Sequence, residues 1–216
     1  MIQERIKAHY PHHLTVEKRL TTEKSIYVAD HSLATQGDRN VELVDDPSQV
    51  SIEHFTLNNP PGMTITGLPF SQKSFRRADG QFASQCECVI YPKEGDEESW
   101  ICFVELKYSA KPANNRSNLM KARRQLLRTQ ACYRCKQVID KRNTCYLFAS
   151  LPKQTEPFLH FTLTQSYLID LKRRFNIVLR FKNSAEVLNH TMLRVYSHPN
   201  PHITTNGNST CRVRDE

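Results

Sequence analysis

Three charged residues stand where buried strands are expected. Glu87 lies in "CECVIYP", and Glu105 and Lys107 lie in "ICFVELKYS". An ionised carboxylate or ammonium in a low-dielectric interior costs several kcal/mol unless it is paired or binds a metal. Residues two apart on a strand share a face, so Glu105 and Lys107 point the same way, about 7 Å apart along the chain. A hairpin centred near Gly95 and Asp96 sets Glu87 beside Val104 and Glu105. In an even-sum register both carboxylates share one face. Two like charges that close require a proton or a divalent cation between them. Mg²⁺ prefers carboxylate oxygens and keeps waters, one of which a nearby lysine can orient or deprotonate.

Several elements must position these groups. The apolar runs at 86–91 and 100–108 read as two strands, joined by an acidic tip holding Glu94, Asp96, Glu97 and Glu98, a solvated turn. A loop with Pro112 follows, then Ser117 as a candidate N-cap. Leu119, Ala122, Leu126, Leu127, Ala131, Cys135 and Val138 recur at threes and fours, which predicts a helix over 118–139. "TCYLFASL" at 144–151 predicts a further strand. Beyond it the pattern predicts a helix over 165–173 and strands at 176–181 and 191–197. Before the hairpin, β-like pieces at 25–28, 41–44 and 50–57 alternate with breakers such as "NNPPG", with a short helix near 31–35. The stretch 198–216 is polar and rich in Pro, Gly and Asn, and reads as a flexible tail after a single domain spanning 1–197.

A carboxylate in one strand, followed after a hairpin by Glu-x-Lys in an apolar strand, resembles the PD-(D/E)xK nuclease superfamily. "FVELKYS" is similar to its Glu-x-Lys strand and "QCECVIYP" to its first metal-ligand strand. The resemblance covers about 82–151. It implies an α/β fold with a mixed central sheet flanked by helices and a restriction-endonuclease-like αβββαβ core. It further implies divalent-metal-dependent phosphodiester hydrolysis of nucleic acid, DNA before RNA. Glu87, Glu105 and the Leu106 carbonyl would hold Mg²⁺ or Mn²⁺. Lys107 would position the attacking water and offset developing negative charge. The family has Asp at the first ligand position where this chain has Glu87, and Asp79 in "FRRADGQ" is the alternative ligand in another register. Glu53 in "SIEHF" is a further upstream acid of the kind some members carry.

The helix after the motif carries Lys121, Arg124 and Arg128 on one stripe. In the resembling folds this helix faces substrate, and phosphate contacts would give salt-dependent affinity without sequence preference. Gln125, or the pair Gln130 and Tyr133, is similar to a glutamine and tyrosine that some members have here. An ordinary solvated basic face explains the stripe equally well, and Lys172, Arg173 and Arg174 read as a second solvated cluster.

The whole chain has 216 residues, 30 Lys and Arg against 22 Asp and Glu, and a formal charge of +8, which favours a polyanionic partner. No apolar run is long enough to span a bilayer, and the polar start "MIQERIKAHYPHH" has no signal core, so a cytoplasmic setting without membrane contact is expected. Its seven cysteines, an odd number, are then expected to be reduced. Cys132 and Cys135 have metal-ligand spacing, but one pair in a helix and the Cys86–Cys88 pair in a strand suit buried thiols better than zinc. His9, His12 and His13 read as a solvated terminal segment, and no Gly-rich phosphate loop is present. A homodimer is compatible with all of this. The rival reading is a catalytically inactive nuclease-fold module that binds nucleic acid or a protein.

Overall fold

A computed structural model describes residues 1–15, 18–32, 39–76, 79–159 and 162–195. The expected tail, the end of the last expected strand and most of the expected helix at 31–35 lie outside the described residues. In chain order the elements are α1 (Ile2–His9), α2 (Pro11–Leu14), β1 (Leu20–Thr22), β2 (Ile26–Asp30), β3 (Val41–Val44), β4 (Phe55–Asn58), β5 (Ile65–Pro69), β6 (Cys88–Pro92), β7 (Ile101–Leu106), α3 (Asn115–Cys135), β8 (Cys145–Ser150), α4 (Gln165–Phe175), β9 (Ile177–Phe181), β10 (Ser184–Asn189) and β11 (Met192–Arg194).

The strands form two mixed sheets. The larger runs β1-β5-β6-β7-β8-β9 and the smaller β11-β10-β4-β2-β3. β5, β6 and β7 form an antiparallel meander; β8 then pairs parallel to β7 and β9 parallel to β8. α3 supplies the crossover between β7 and β8, and α4 the one between β8 and β9.

β6, β7 and β8 are buried at every position, as expected of strands covered on both faces. Their alternate side chains feed two cores. Val89, Tyr91, Ile101, Phe103 and Leu147 pack against the helices with Leu119, Leu126 and Ile6. Cys88, Ile90, Cys102, Val104 and Phe148 pack against Ile26, Val28, Phe55 and Leu57 of the smaller sheet. The expected mixed central sheet is therefore present, with helices on one face and a second sheet on the other. Gly67 of β5 lies where the layers meet, and a Cβ there would lie 2.8 Å from Leu43 Cδ2 on β3.

The N-terminal segment departs from its expectation. Ile2 and Ile6 bury one face of α1, and His13 is only 1 % exposed rather than solvated. His13 Nε2 donates to Ser74 O (2.9 Å) and Nδ1 accepts from Tyr133 Oη (3.1 Å), while its ring stacks on Tyr10. The neutral form satisfies both ring nitrogens, and burial lowers the pKa of His13 to about 4. α3 starts earlier than expected, with Asn115 buried and its amide donating to Gln154 Oε1 and Leu159 O. Ser117 is exposed within the first turn and bonds back to Asn114 O. α4 behaves as read: Thr164 caps its start, and Asn176 ends it at φ 53°, the left-handed region that Asn tolerates. β1, β5 and β10 had no counterpart among the strands expected from sequence. All six described cysteines are free, and no helix among the described residues is long and apolar enough to cross a membrane.

Candidate active site

The end of β7 carries two charged groups on one side. Glu105 is fully buried, and its Oε1 accepts from Lys107 Nζ just past the strand. Its other oxygen, Oε2, is buried and has no hydrogen-bond partner among the described residues. The Ile101 and Lys107 amides both bond toward β8, at Thr144 O and Ser150 O. By alternation the Leu106 carbonyl faces the β6 side of β7, where Glu87 lies.

Glu87 is held one residue before β6, and the ladder is irregular there. Cys88 faces Val104, as an even-sum register requires, yet Glu87 N also donates to Val104 O at 2.9 Å. Two residues of one strand thus oppose one of the other, a bulge that re-aims a side chain. The surrounding backbone is clamped from three directions. Phe70 N donates to Glu87 O (2.8 Å), Cys86 N donates to Thr129 Oγ1 (2.9 Å), and Gln125 Nε2 donates to Gln85 O (2.9 Å). The last two contacts come from α3. Gln125, a candidate nucleic-acid contact in the sequence, thus places its amide nitrogen on the backbone just before β6.

Arg39, which the sequence did not single out, completes the pairing. Its Nη2 donates to Glu87 Oε2 at 2.6 Å and to Cys86 O. Asp30, at the end of β2, adds a third negative charge that acts on both Glu87 and Glu105. Tyr108 ties the two sheets together here: its hydroxyl accepts from Asp30 N (3.0 Å) and donates to Glu53 O (2.9 Å). A strand ending in acid, "IYVAD", and an arginine beside the next strand, "DRNVELV", were the only signals in the sequence. Neither stands out without the sheet pairing that joins them to the hairpin.

The charges do not cancel. Burial, and then the neighbouring Glu105, push the Glu87 carboxyl above its usual range while Arg39 opposes. Burial likewise raises Glu105, against the pull of Lys107. Both carboxyls therefore favour gaining a proton or a further cation.

Other candidates fall elsewhere. Asp79 is exposed, with Oδ1 accepting from Gln81 N, and the Glu53 side chain is exposed. Gln130 and Tyr133 are buried against Cys145 and His13. Lys121, Arg124 and Arg128 are exposed on the flank of α3 adjoining Gln125. Two arginines of the other flank are engaged, Arg123 over the Tyr167 ring and Arg134 on Phe175 O. α3 contains no acidic residue to offset the stripe.

The fit to a divalent cation rests on few donors. The orphaned Glu105 Oε2 suits one, as does the raised carboxyl pair. No cluster of three or more His, Cys, Asp or Glu able to hold a metal occurs among the described residues. A cation would depend on Glu87, Glu105, the Leu106 carbonyl and water, a donor set that suits Mg²⁺ or Mn²⁺ and not zinc. No family model, curated protein or solved structure matches this chain.

Proposed function

We propose that the chain is a divalent-metal-dependent phosphodiesterase acting on nucleic acid, with DNA as the first substrate, through a site resembling that of PD-(D/E)xK nucleases. The observation that carries this reading is Glu105, a fully buried carboxyl with one oxygen that has no partner among the described residues, beside a lysine two residues on. The three-strand meander, the α3 crossover and the parallel β8 support it. Glu87, Glu105 and the Leu106 carbonyl would hold Mg²⁺ or Mn²⁺. When bound, such an ion supplies Lewis acidity and lowers the pKa of water. Lys107 would orient the attacking water and offset charge on the phosphate, and the α3 stripe would draw the polyanion to the site.

A second reading, a catalytically silent module of the same fold, is favoured by one contact. Arg39 already pairs with Glu87 and occupies one of its oxygens.

The experiment is calorimetric titration with Mg²⁺ and Mn²⁺ alongside cleavage of plasmid and single-stranded DNA. Lys107→Ala keeps both carboxylates, so metal binding should persist while cleavage falls about 100-fold or more. Glu105→Gln should remove both. Wild-type protein that binds DNA but neither metal would establish the silent module. Equal cleavage by Lys107→Ala would overturn the assigned role of the lysine.

A further inference from the structure

The larger sheet ends on β9, whose far side pairs with no described strand. Asn176 O accepts from Cys145 N, and Lys182 N donates to Ala149 O. By alternation the even-numbered residues of β9 direct their backbone groups to β8, and Ile177 and Leu179 direct theirs outward. One outward carbonyl, that of Leu179, accepts from Arg180 Nη1 at 2.9 Å. The Ile177 and Leu179 amides have no acceptor among the described residues.

Along this edge α4 and β9 enclose a groove of about 410 Å³. Leu168, Ile169, Ile177 and Val178 give it apolar walls, and Lys172 and Arg180 add two positive charges. No acidic side chain lines it. Neither cation forms an ion pair with a described residue; Lys172 bonds only Asn176 Oδ1. Ile169 remains 55 % exposed at the lip. A sheet edge presenting outward amides without an acceptor among the described residues, beside an apolar groove, is suited to an incoming strand. Its charge selects the kind of strand. A second copy of β9 would bring another Arg180 toward the first, and like charges opposed across strands repel.

We propose that this groove binds an extended, acidic segment of a partner protein. The segment would add to β9 as a further strand, with its apolar side chains on the α4 face against Leu168 and Ile169 and its carboxylates on the opposite face near Arg180. The proposal uses no residue of the carboxylate cluster and stands apart from the proposed hydrolysis.

The test uses the full chain and a panel of short peptides that alternate Val with Glu, Val with Lys, or Thr with Ser. Binding is read by fluorescence anisotropy, and amide hydrogen exchange is followed in β9. The Glu series should bind and slow exchange at Ile177 and Leu179, and the other two should not. The double variant Lys172→Glu/Arg180→Glu should weaken the Glu series about tenfold or more and admit the Lys series. Placing Pro at alternate positions of the Glu peptide should abolish binding to the wild-type chain, a control that needs no protein variant. Binding that survives those prolines, or leaves the two amides unprotected, would overturn strand addition. Absence of binding by the Glu series, stronger protection by single-stranded DNA, or self-association through β9 would overturn the assigned partner.

Discussion

The Arg39 guanidinium lies 2.6 Å from Glu87 Oε2, with the two side chains only 15 % and 7 % exposed. Above about pH 8, where the Glu87 carboxyl is ionised in the folded chain, removing one partner of such a pair leaves a buried charge uncompensated, typically costing about 3–5 kcal/mol. At such a pH Arg39→Ala should therefore lower unfolding free energy by about 3 kcal/mol. Adding Glu87→Gln to that variant should recover part of the loss, because the orphaned charge is gone. Urea unfolding of both single variants and the double variant forms the cycle that checks it.

The α3 stripe makes a prediction about salt. Every cation withdrawn from a phosphate of duplex DNA flattens the dependence of log K on log salt by about 0.9. Replacing Lys121, Arg124 and Arg128 by Ala should reduce the slope by about 2–3 if all three reach phosphate. An unchanged slope would assign the stripe to bulk solvent.

His13 predicts a pH dependence of stability. Its pKa of about 4 in the folded chain lies below the ordinary 6.5, so the unfolded chain takes up the proton first. Its full contribution is present above pH 6.5 and is lost as pH falls toward 4, amounting to roughly 3 kcal/mol. Glu87 acts in the opposite sense: its raised pKa means that the folded chain binds the extra proton, and its share of stability falls as pH rises above 4.5. The difference in stability between wild type and His13→Gln across pH cancels the carboxyls and isolates the histidine. A flat difference between pH 4 and 6.5 would refute the assignment.

Gly67 predicts a steric one. A Cβ there meets the tip of Leu43, a buried side chain that has little room to yield. Gly67→Val should destabilise by about 1–3 kcal/mol. Leu43→Ala in the same chain should lessen the additional cost of the valine, which thermal unfolding of the four combinations would reveal.

Those elements whose cause is local were legible in the sequence. The apolar hairpin, the α3 periodicity, the "TCYLFASL" strand and the capped α4 follow from short-range pattern, and they carried Glu87, Glu105 and Lys107 with them. The rest depends on contacts distant in the chain. α1 looks polar because only Ile2 and Ile6 are buried, and His13 looks solvated until Tyr133 and Ser74 close around it. "SAEVLN" becomes β10 through pairing with β4, over a hundred residues earlier. Arg39 and Asp30 escaped notice for the same reason: their neighbours in the site are nearly fifty or more residues away in sequence. The bulge at Glu87 could not be read either, since it arises from where Val104 O falls.

Tyr108 joins Asp30 of one sheet to the end of the strand that carries Glu105 in the other, and Trp100 Nε1 on Asn189 O fastens the same two layers at the far end of β7. Asp30 and Arg39 arrive with the smaller sheet, and Glu87, Glu105 and Lys107 with the larger. The cluster is thus a product of docking, absent from either layer alone. Separating the layers would therefore part Arg39 from Glu87 and Tyr108 from Asp30 in one event, so the pairing of the buried charges and the docking of the sheets stand or fall together.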